Sequence, residues 1–480
     1  MKKNSFISGT IISTISIVLV KIMGMLYVIP FYSIVGSQGG ALYSYAYQLY
    51  LLFLGVSSAG IPNAISKVIS EYNSTGKLES KTRAYYVGKK IISYISVVAF
   101  ILLFVFAEEL ATLYLGKITG GNTPEDAAFV IRRKVALEIV RKAYDKCVEE
   151  HPLKQLFWEC TLRCNLSCRH CGSDCKTSAG VKDMPLEHFL GVLDKIKART
   201  DPHKVFVIVS GGEPLMRNDI AECGKAIYEK GFPWGMVSNA LFLTPEKFQS
   251  LLDAGIHTMT VSLDGIGDEH NWMRGNKNSF DMVSGAIDML VASKQVKFDV
   301  MTCVNRRNYT HLQNIKNFLI EKGVKTWRVV AVFPVGRAAE DPDMRLTKEE
   351  YKGILEFIKQ TRREGSIDVS YGCEGFMGNF EGDIRNHFFA CLAGVTVGSV
   401  LVDGSISACP SIRSNFHQGN IYDNDFMDIW LNKFEPYRNR EWMRKGECAE
   451  CKYFRYCRGS GMHLRDDNGN LIVCPLYRLQ

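Results

Sequence analysis

At 480 residues the chain is longer than one ordinary domain, so two or three folded units are expected. Its formal net charge of +8 is spread without a basic block, which leaves no case for a nucleic-acid partner. All fifteen cysteines fall at or after Cys147 at metal-like spacings, which argues against a disulfide scaffold and for a reducing compartment.

Residues 6–31 are almost wholly apolar or small, with Lys21 the sole charge, and are long enough to span a bilayer. Residues 41–61 and 91–107 are two further candidates, so about three transmembrane helices are expected. A cleaved signal peptide has one apolar core of about 7–15 residues and does not fit. By the positive-inside rule Lys2 and Lys3 face inward, as does a loop carrying Lys67, Lys77, Lys81, Arg83, Lys89 and Lys90. A third crossing would then put everything after Glu109 outside. The texture Gly60-Ile-Pro-Asn-Ala64 followed by Ile65-Ser-Lys67 resembles the start of a lipid-linked oligosaccharide flippase, a MATE-like polysaccharide exporter. Such transporters need many more helices than three, so residues 1–117 read as a truncated flippase-like segment and flippase activity is not expected.

Residues 118–150 read as a linker and one amphipathic helix. Thr123-Pro124-Glu125-Asp126 supplies a capping hydroxyl, a first-turn proline and carboxylates, and Val130, Lys134, Leu137 and Val140 follow at helical spacing. The helix should run to about Asp145.

Residues 151–345 alternate strand and helix. Apolar, β-branched runs predict strands at 155–159, 205–210, 235–238, 258–263, 298–303 and 328–333, with helices at 186–198, 245–252 and 280–290 between them. This is an α/β pattern with a parallel sheet, whose ligands gather at the strand C-terminal ends. After the first strand come Cys164, Cys168 and Cys171, spaced C-x3-C-x2-C. Three soft thiolates on one loop suit iron–sulfur clusters or zinc and leave a fourth position open. A zinc loop completed by Cys160 or Cys175, or three core thiols, are the other readings. The second strand runs into Gly211-Gly212-Glu213-Pro214, where glycine lets a ligand approach backbone beside a carboxylate.

Together these two motifs resemble the radical S-adenosylmethionine (radical SAM) superfamily over roughly residues 156–337. The resemblance implies a partial (βα)6 TIM-like barrel, with Cys164, Cys168 and Cys171 holding a [4Fe–4S] cluster whose open iron binds SAM. It implies SAM contacts from Gly211, Gly212, Glu213 and Pro214, with Glu213 near the amino group. Ser238, Asn239, Ser262, Asp264 and Asn305 become pocket candidates, His170 packs beside the cluster, and Arg274 serves substrate or barrel wall. The implied chemistry is reductive cleavage of SAM to a 5′-deoxyadenosyl radical that takes hydrogen from a substrate.

Residues 346–480, after a helix at 348–363, form a small cysteine-rich region. Cys448, Cys451, Cys457 and Cys474 supply four thiolates, enough for a closed zinc site or a second cluster. With Cys373, Cys391 and Cys409 the layout resembles the SPASM extension of radical SAM enzymes. That resemblance implies one or two auxiliary [4Fe–4S] clusters, the first on Cys373, Cys391 and Cys409 and the second on the other four. The family commonly has a further cysteine where this chain has Gly461, which leaves an open iron, a substitute ligand such as His463, or no first cluster. SPASM enzymes often act on peptides or proteins, and the chemistry implies an electron donor such as flavodoxin or ferredoxin.

Such chemistry belongs in the cytoplasm, which conflicts with a third crossing. Composition and cysteine usage change between Gly116 and Asn122, so an unnatural join of two genes is the favoured reading. The chain is then at the cell membrane with its enzyme part in the cytoplasm, or wholly cytoplasmic if the first segment is an artefact. The rival functions are a membrane exporter fragment with a metal-binding appendage, and a zinc-stabilised binding protein.

Overall fold

The computed structural model describes residues 61–75, 77–105, 124–372, 374–412 and 414–479. It divides into two compact units, Met1–Arg132 and Arg133–Gln480.

In the first unit the described helices are α1 (Ile61–Ser74) and α2 (Leu78–Val105). They cross closely at Gly88, where a Cβ would lie 2.8 Å from Ile65 Cδ1. The stretch expected as a charged loop is therefore mostly helix, because Lys, Glu and Arg are good helix formers and no proline follows Pro62 until Pro124. No helix among the described residues is long and apolar enough to cross a membrane. The third expected span, 91–107, is described as far as Val105, within α2. The candidates at 6–31 and 41–61, apart from Ile61, lie outside the described residues.

Helix α3 (Pro124–Glu150) runs five residues past the expected end at Asp145. Its part within the second unit docks on the C-terminal region: Arg133 Nε donates to Glu381 O at 2.8 Å, and Tyr456 Oη to Glu138 at 2.6 Å.

The second unit is one ten-stranded sheet. Its strands are β1 (Gln155–Thr161), β2 (Phe206–Gly211), β3 (Trp234–Ser238), β4 (Ile256–Ser262), β5 (Lys297–Val304), β6 (Thr326–Ala331) and β7 (Asp368–Tyr371), followed by β8 (Val397–Val400), β9 (Ser405–Ser407) and β10 (Gly419–Asn420). β1 to β7 are parallel and adjacent in chain order, as in a barrel wall, and the wall stays open between β7 and β10. β8 pairs parallel to the outer edge of β1, with Gln155 opposite Val397, and β9 and β10 continue antiparallel. The C-terminal region thus completes the same sheet.

Helices α4 (Leu186–Lys197), α5 (Ile220–Glu229), α6 (Pro245–Asp253), α8 (Ser279–Ala292), α9 (Leu312–Glu321) and α10 (Lys348–Glu364) connect the parallel strands, with the short α7 (Asp268–Arg274) after β4. Each of these crossovers buries an apolar stripe, such as Phe189, Val192, Leu193 and Ile196 of α4. Trp158, Trp234 and Trp327 lie fully buried in β1, β3 and β6. Trp158 stacks on Phe189 at 4.4 Å and takes the Arg217 guanidinium at 5.3 Å, while Arg217 also donates to Cys160 O and Met184 O. The base of β1, below the cysteine loop, is fixed from three sides.

Candidate active site and metal centres

β1 and β2 carry the cysteine loop and the Gly-Gly-Glu-Pro turn to the same end of the sheet. The two are zipped together: Gly212 N donates to Thr161 O and Glu213 N to Arg163 O, both at 2.8 Å. A Cβ on Gly211, whose φ is +145°, would lie 2.1 Å from Thr161 O, and one on Gly212 2.3 Å from Arg163 O. What approaches these glycines in the structure is the cysteine loop's own backbone, and no other residue leaves room for it.

Cys164 and Cys168 are buried and Cys171 half-buried, packed with Leu166, Cys175 and Leu241. None of the described cysteines is in a disulfide. Arg337, just past β6, clamps the loop: its backbone N donates to Cys171 O at 3.1 Å, Nε to Cys168 O at 2.8 Å and Nη1 to Cys175 O at 3.2 Å. Gly336 makes this possible, since a Cβ there would meet Cys171 O at 2.5 Å. This tip is one of the strand C-terminal ends at which the parallel-sheet pattern predicts ligands to gather.

Two donors point at sulfur. Asn239 Nδ2 lies 3.8 Å from Cys164 Sγ, and Arg274 Nη1 lies 3.7 Å from Cys168 Sγ. Burial pushes the Cys164 thiol up to about 12 and raises Cys168 against the pull of Arg274, whereas the hydrogen bond with Cys175 holds Cys171 at about 5. Two of the three sulfurs thus keep their protons in the protein alone, and a metal that takes them as thiolates must displace those protons.

The remaining predicted residues form a polar floor. Glu213 is fully buried and accepts from Ser238 Oγ at 2.8 Å, Asn239 N at 2.7 Å and Leu215 N at 3.0 Å. Burial raises its pKa against these donors. Pro214 opens the turn that Glu213 caps. Asp264 pairs with Arg274 at 2.7 Å and accepts from Cys303 N at 2.8 Å. Burial alone would raise Asp264, and the Arg274 guanidinium outweighs it and holds the carboxyl below its usual range. His170, Asp264 and Cys303 offer ligand atoms all within 4.8 Å of one another. Asn305 spends its side chain on its own turn, accepting from Arg307 N and Asn308 N, and Ser262 ends β4 opposite Met301.

On the cysteine loop and neighbouring strand tips, Asn165 Nδ2, His170 Nδ1, Ser210 Oγ and Arg274 Nε are buried without an aligned hydrogen-bond partner. Each such atom costs about 1–3 kcal/mol unless a ligand satisfies it. Three thiols beside a mixed set of donors and acceptors fit a thiolate-bound cluster carrying a zwitterionic amino acid such as SAM.

In the C-terminal region Cys448, Cys451 and Cys474 all lie within electrostatic range of Cys457, whose thiol burial pushes up to about 12. Arg465 Nη2 lies 3.7 Å from Cys448 Sγ. Cys391 sits beside Arg440, which overcomes the effect of burial and lowers its pKa, and beside the Met462 backbone. Burial raises the Tyr437 pKa, and both Cys391 and Cys409 lie in range of that side chain. Cys373 lies outside the described residues. The His463 ring fills the space beside Gly461, where a Cβ would meet it at 2.7 Å, and stands edge-on to Phe333 at 5.2 Å. Burial holds its pKa at about 4, so the imidazole is neutral.

Family models match this arrangement. The radical SAM superfamily model covers residues 158–319, and the iron–sulfur cluster-binding SPASM model covers residues 391–452. Radical SAM and SPASM domains are present in this chain. It is accordingly an enzyme whose cofactors are a SAM-binding [4Fe–4S] cluster, SAM and one or two auxiliary iron–sulfur clusters. The AdoMet-dependent heme synthase of Methanosarcina barkeri is 27% identical over 320 residues, 63% of this chain and 89% of the relative. The crystal structure of Streptococcus suis SuiB bound to the precursor peptide SuiA shares the fold, with a TM-score of 0.53 at 16% identity over 75% of this chain and 84% of that one. Residues 6–120 match a polysaccharide biosynthesis protein model, and the lipid II flippase MurJ of Bacillus subtilis is 36% identical over 130 residues. That match spans 27% of this chain and 24% of the flippase, so the start of the chain is flippase-like.

Proposed function

We propose that the chain is a radical SAM enzyme that takes hydrogen from a peptide or protein, with Cys164, Cys168 and Cys171 holding the cluster that binds SAM. The observation that carries this reading is the three-thiol loop, closed at its base by Gly-Gly-Glu-Pro and faced by unpartnered buried atoms of His170, Ser210 and Arg274. Bound there, cluster and SAM supply a one-electron cleavage that yields methionine and a hydrogen-abstracting 5′-deoxyadenosyl radical. The chain's own part is to position and to exclude water. Glu213, fixed by three donors, keeps lone pairs for an ammonium group, and Arg274 presents a guanidinium beside Cys168 for a carboxylate. Arg337 and Gly336 hold the loop so that its sulfurs face one centre.

Cys448, Cys451, Cys457 and Cys474 would hold one auxiliary cluster, and Cys391 and Cys409 would contribute to another with Cys373. A peptide substrate is supported by the fold shared with SuiB, a protein crystallised with a precursor peptide. The similarity to a heme synthase supports a second reading, in which the substrate is a heme precursor. The need for SAM and a low-potential donor supports a cytoplasmic location for the enzyme unit.

The test is anaerobic reconstitution of the full chain with iron and sulfide, followed by SAM and dithionite. Iron, acid-labile sulfide and 5′-deoxyadenosine support the reading, and a mass change in a co-encoded peptide, rather than in a heme precursor, supports the substrate class. A protein that holds zinc, takes up no iron and releases no deoxyadenosine overturns it in favour of structural cysteines.

A further inference from the structure

Beside the C-terminal cysteines lies a groove of about 390 Å³ lined by Arg141, Arg438, Arg440, Arg444, Arg455 and Arg458. The carboxylates that answer them are Glu138 and Asp145 of α3, Glu441, and Glu435 beside Arg438. Six guanidiniums against four carboxylates leave the groove cationic. Its outermost heads, Arg444 and Arg455, are 46% and 55% exposed. They are not loose: Arg444 lies over the Phe454 ring at 4.5 Å and Arg455 over Tyr456 at 5.1 Å. Each already pairs with one carboxylate, Glu441 or Glu138, and a guanidinium stacked on an aromatic face loses little freedom when it takes a further one with its remaining N–H groups.

The groove also reaches the candidate clusters. Its floor, Arg440, is buried and donates to Cys391 O at 3.3 Å and Ser460 O at 3.1 Å. Its wall is the short helix Phe454–Cys457, which carries Arg455 and ends on Cys457, with Arg458 next in the chain. Arg440 also hydrogen-bonds the Cys391 side chain and lies in electrostatic range of Cys457, so the groove floor adjoins both cysteines.

We propose that this groove docks the carboxylate-rich face of a small acidic electron-carrier protein of the ferredoxin or flavodoxin class. The inference rests on the radical SAM reading, in which each SAM cleaved consumes one electron: the carrier is oxidised by one electron and the enzyme's iron–sulfur centres are reduced by one. Opposite charges on the two faces steer encounter and set orientation, so binding should weaken steeply with salt.

The test uses the reconstituted full chain and a purified acidic flavodoxin. Binding is measured by calorimetry at low and high salt for wild type, for Arg444→Glu/Arg455→Glu, for the milder Arg444→Gln/Arg455→Gln, and for Lys225→Glu on exposed α5. Iron content confirms that each variant is folded. The proposal expects the charge reversal to weaken binding about tenfold or more, the glutamine pair to weaken it less, and Lys225→Glu to leave it unchanged. It also expects flavodoxin-driven 5′-deoxyadenosine formation to fall with affinity while dithionite-driven formation stays at the wild-type rate. Equal binding by wild type and the charge reversal overturns the docking site, as does an equal loss in Lys225→Glu. Loss of the dithionite-driven reaction in wild type would instead sink the underlying reading.

Discussion

The two cysteine systems of this chain are framed by different means. The Cys164–Cys168–Cys171 loop is held by backbone and guanidinium hydrogen bonds from β2, α7 and the β6 tip, and its surroundings keep unpartnered polar atoms. The Cys448–Cys474 region is held by turns, by the Arg465 guanidinium at Cys448 and above all by aromatic packing: Phe376 lies against Tyr453 and Tyr456, and Arg444 against Phe454, while the unpartnered buried atoms near it are Ser460 Oγ and Arg465 Nε, against four around the first loop. A site that receives a polar ligand needs donors and acceptors left over, whereas a site that only stores electrons or structure is better sealed by rings. The difference teaches that cysteine spacing locates a metal and the surrounding polar inventory says what else it binds.

The sharpest way to break this comparison is to empty one site at a time. Cys164→Ala/Cys168→Ala/Cys171→Ala should lose about four irons and all 5′-deoxyadenosine formation, while Cys451→Ser should lose auxiliary iron yet leave some uncoupled SAM cleavage. Iron analysis with electron paramagnetic resonance checks both, and equal loss of SAM cleavage in the two would erase the distinction. Next in size is Arg274→Met, which strands the buried Asp264 carboxylate and should cost about 3–5 kcal/mol in chemical denaturation. Arg274→Met/Asp264→Asn should recover much of that stability while SAM affinity stays low.

Gly212→Ala forces the turn away from Arg163 and should cost about 1–3 kcal/mol, with weaker retention of the first cluster and normal auxiliary iron. The smallest effect concerns Glu374, a buried carboxyl that burial pushes up to about 7 against hydrogen bonds from Tyr371 and Ala331. Between the ordinary carboxylate range and about 7 the folded protein binds more protons than the unfolded chain, so stability falls as pH rises through that window. Thermal midpoints from pH 5 to 8 should show this fall in wild type and a flatter profile in Glu374→Gln.

The six central strands were legible because each is a compact apolar run between turn residues, and the structure moves their ends by only a residue or two. β7 and β8–β10 were not placed in that sheet, since four or fewer residues carry little periodicity and their partners are set by register far away in the chain. Cys164, Cys168, Cys171, Gly212 and Glu213 announced themselves by spacing. Arg337 and Arg217 did not, because an arginine that binds carbonyl oxygens leaves no pattern.

The pairing of β8 with β1 has a consequence for how the molecule is made. β1 leads into the first metal loop, yet its outer edge has no partner until Val397 has been synthesised. On the ribosome the sheet therefore grows in one direction, from β1 toward β7, and seals backward only when the last third of the polypeptide emerges. A nascent chain stopped short of that point carries a bare, apolar strand edge next to the cysteines of the first loop, open to pairing with a neighbour's. Completion of the first metal loop is thus tied to arrival of the last domain.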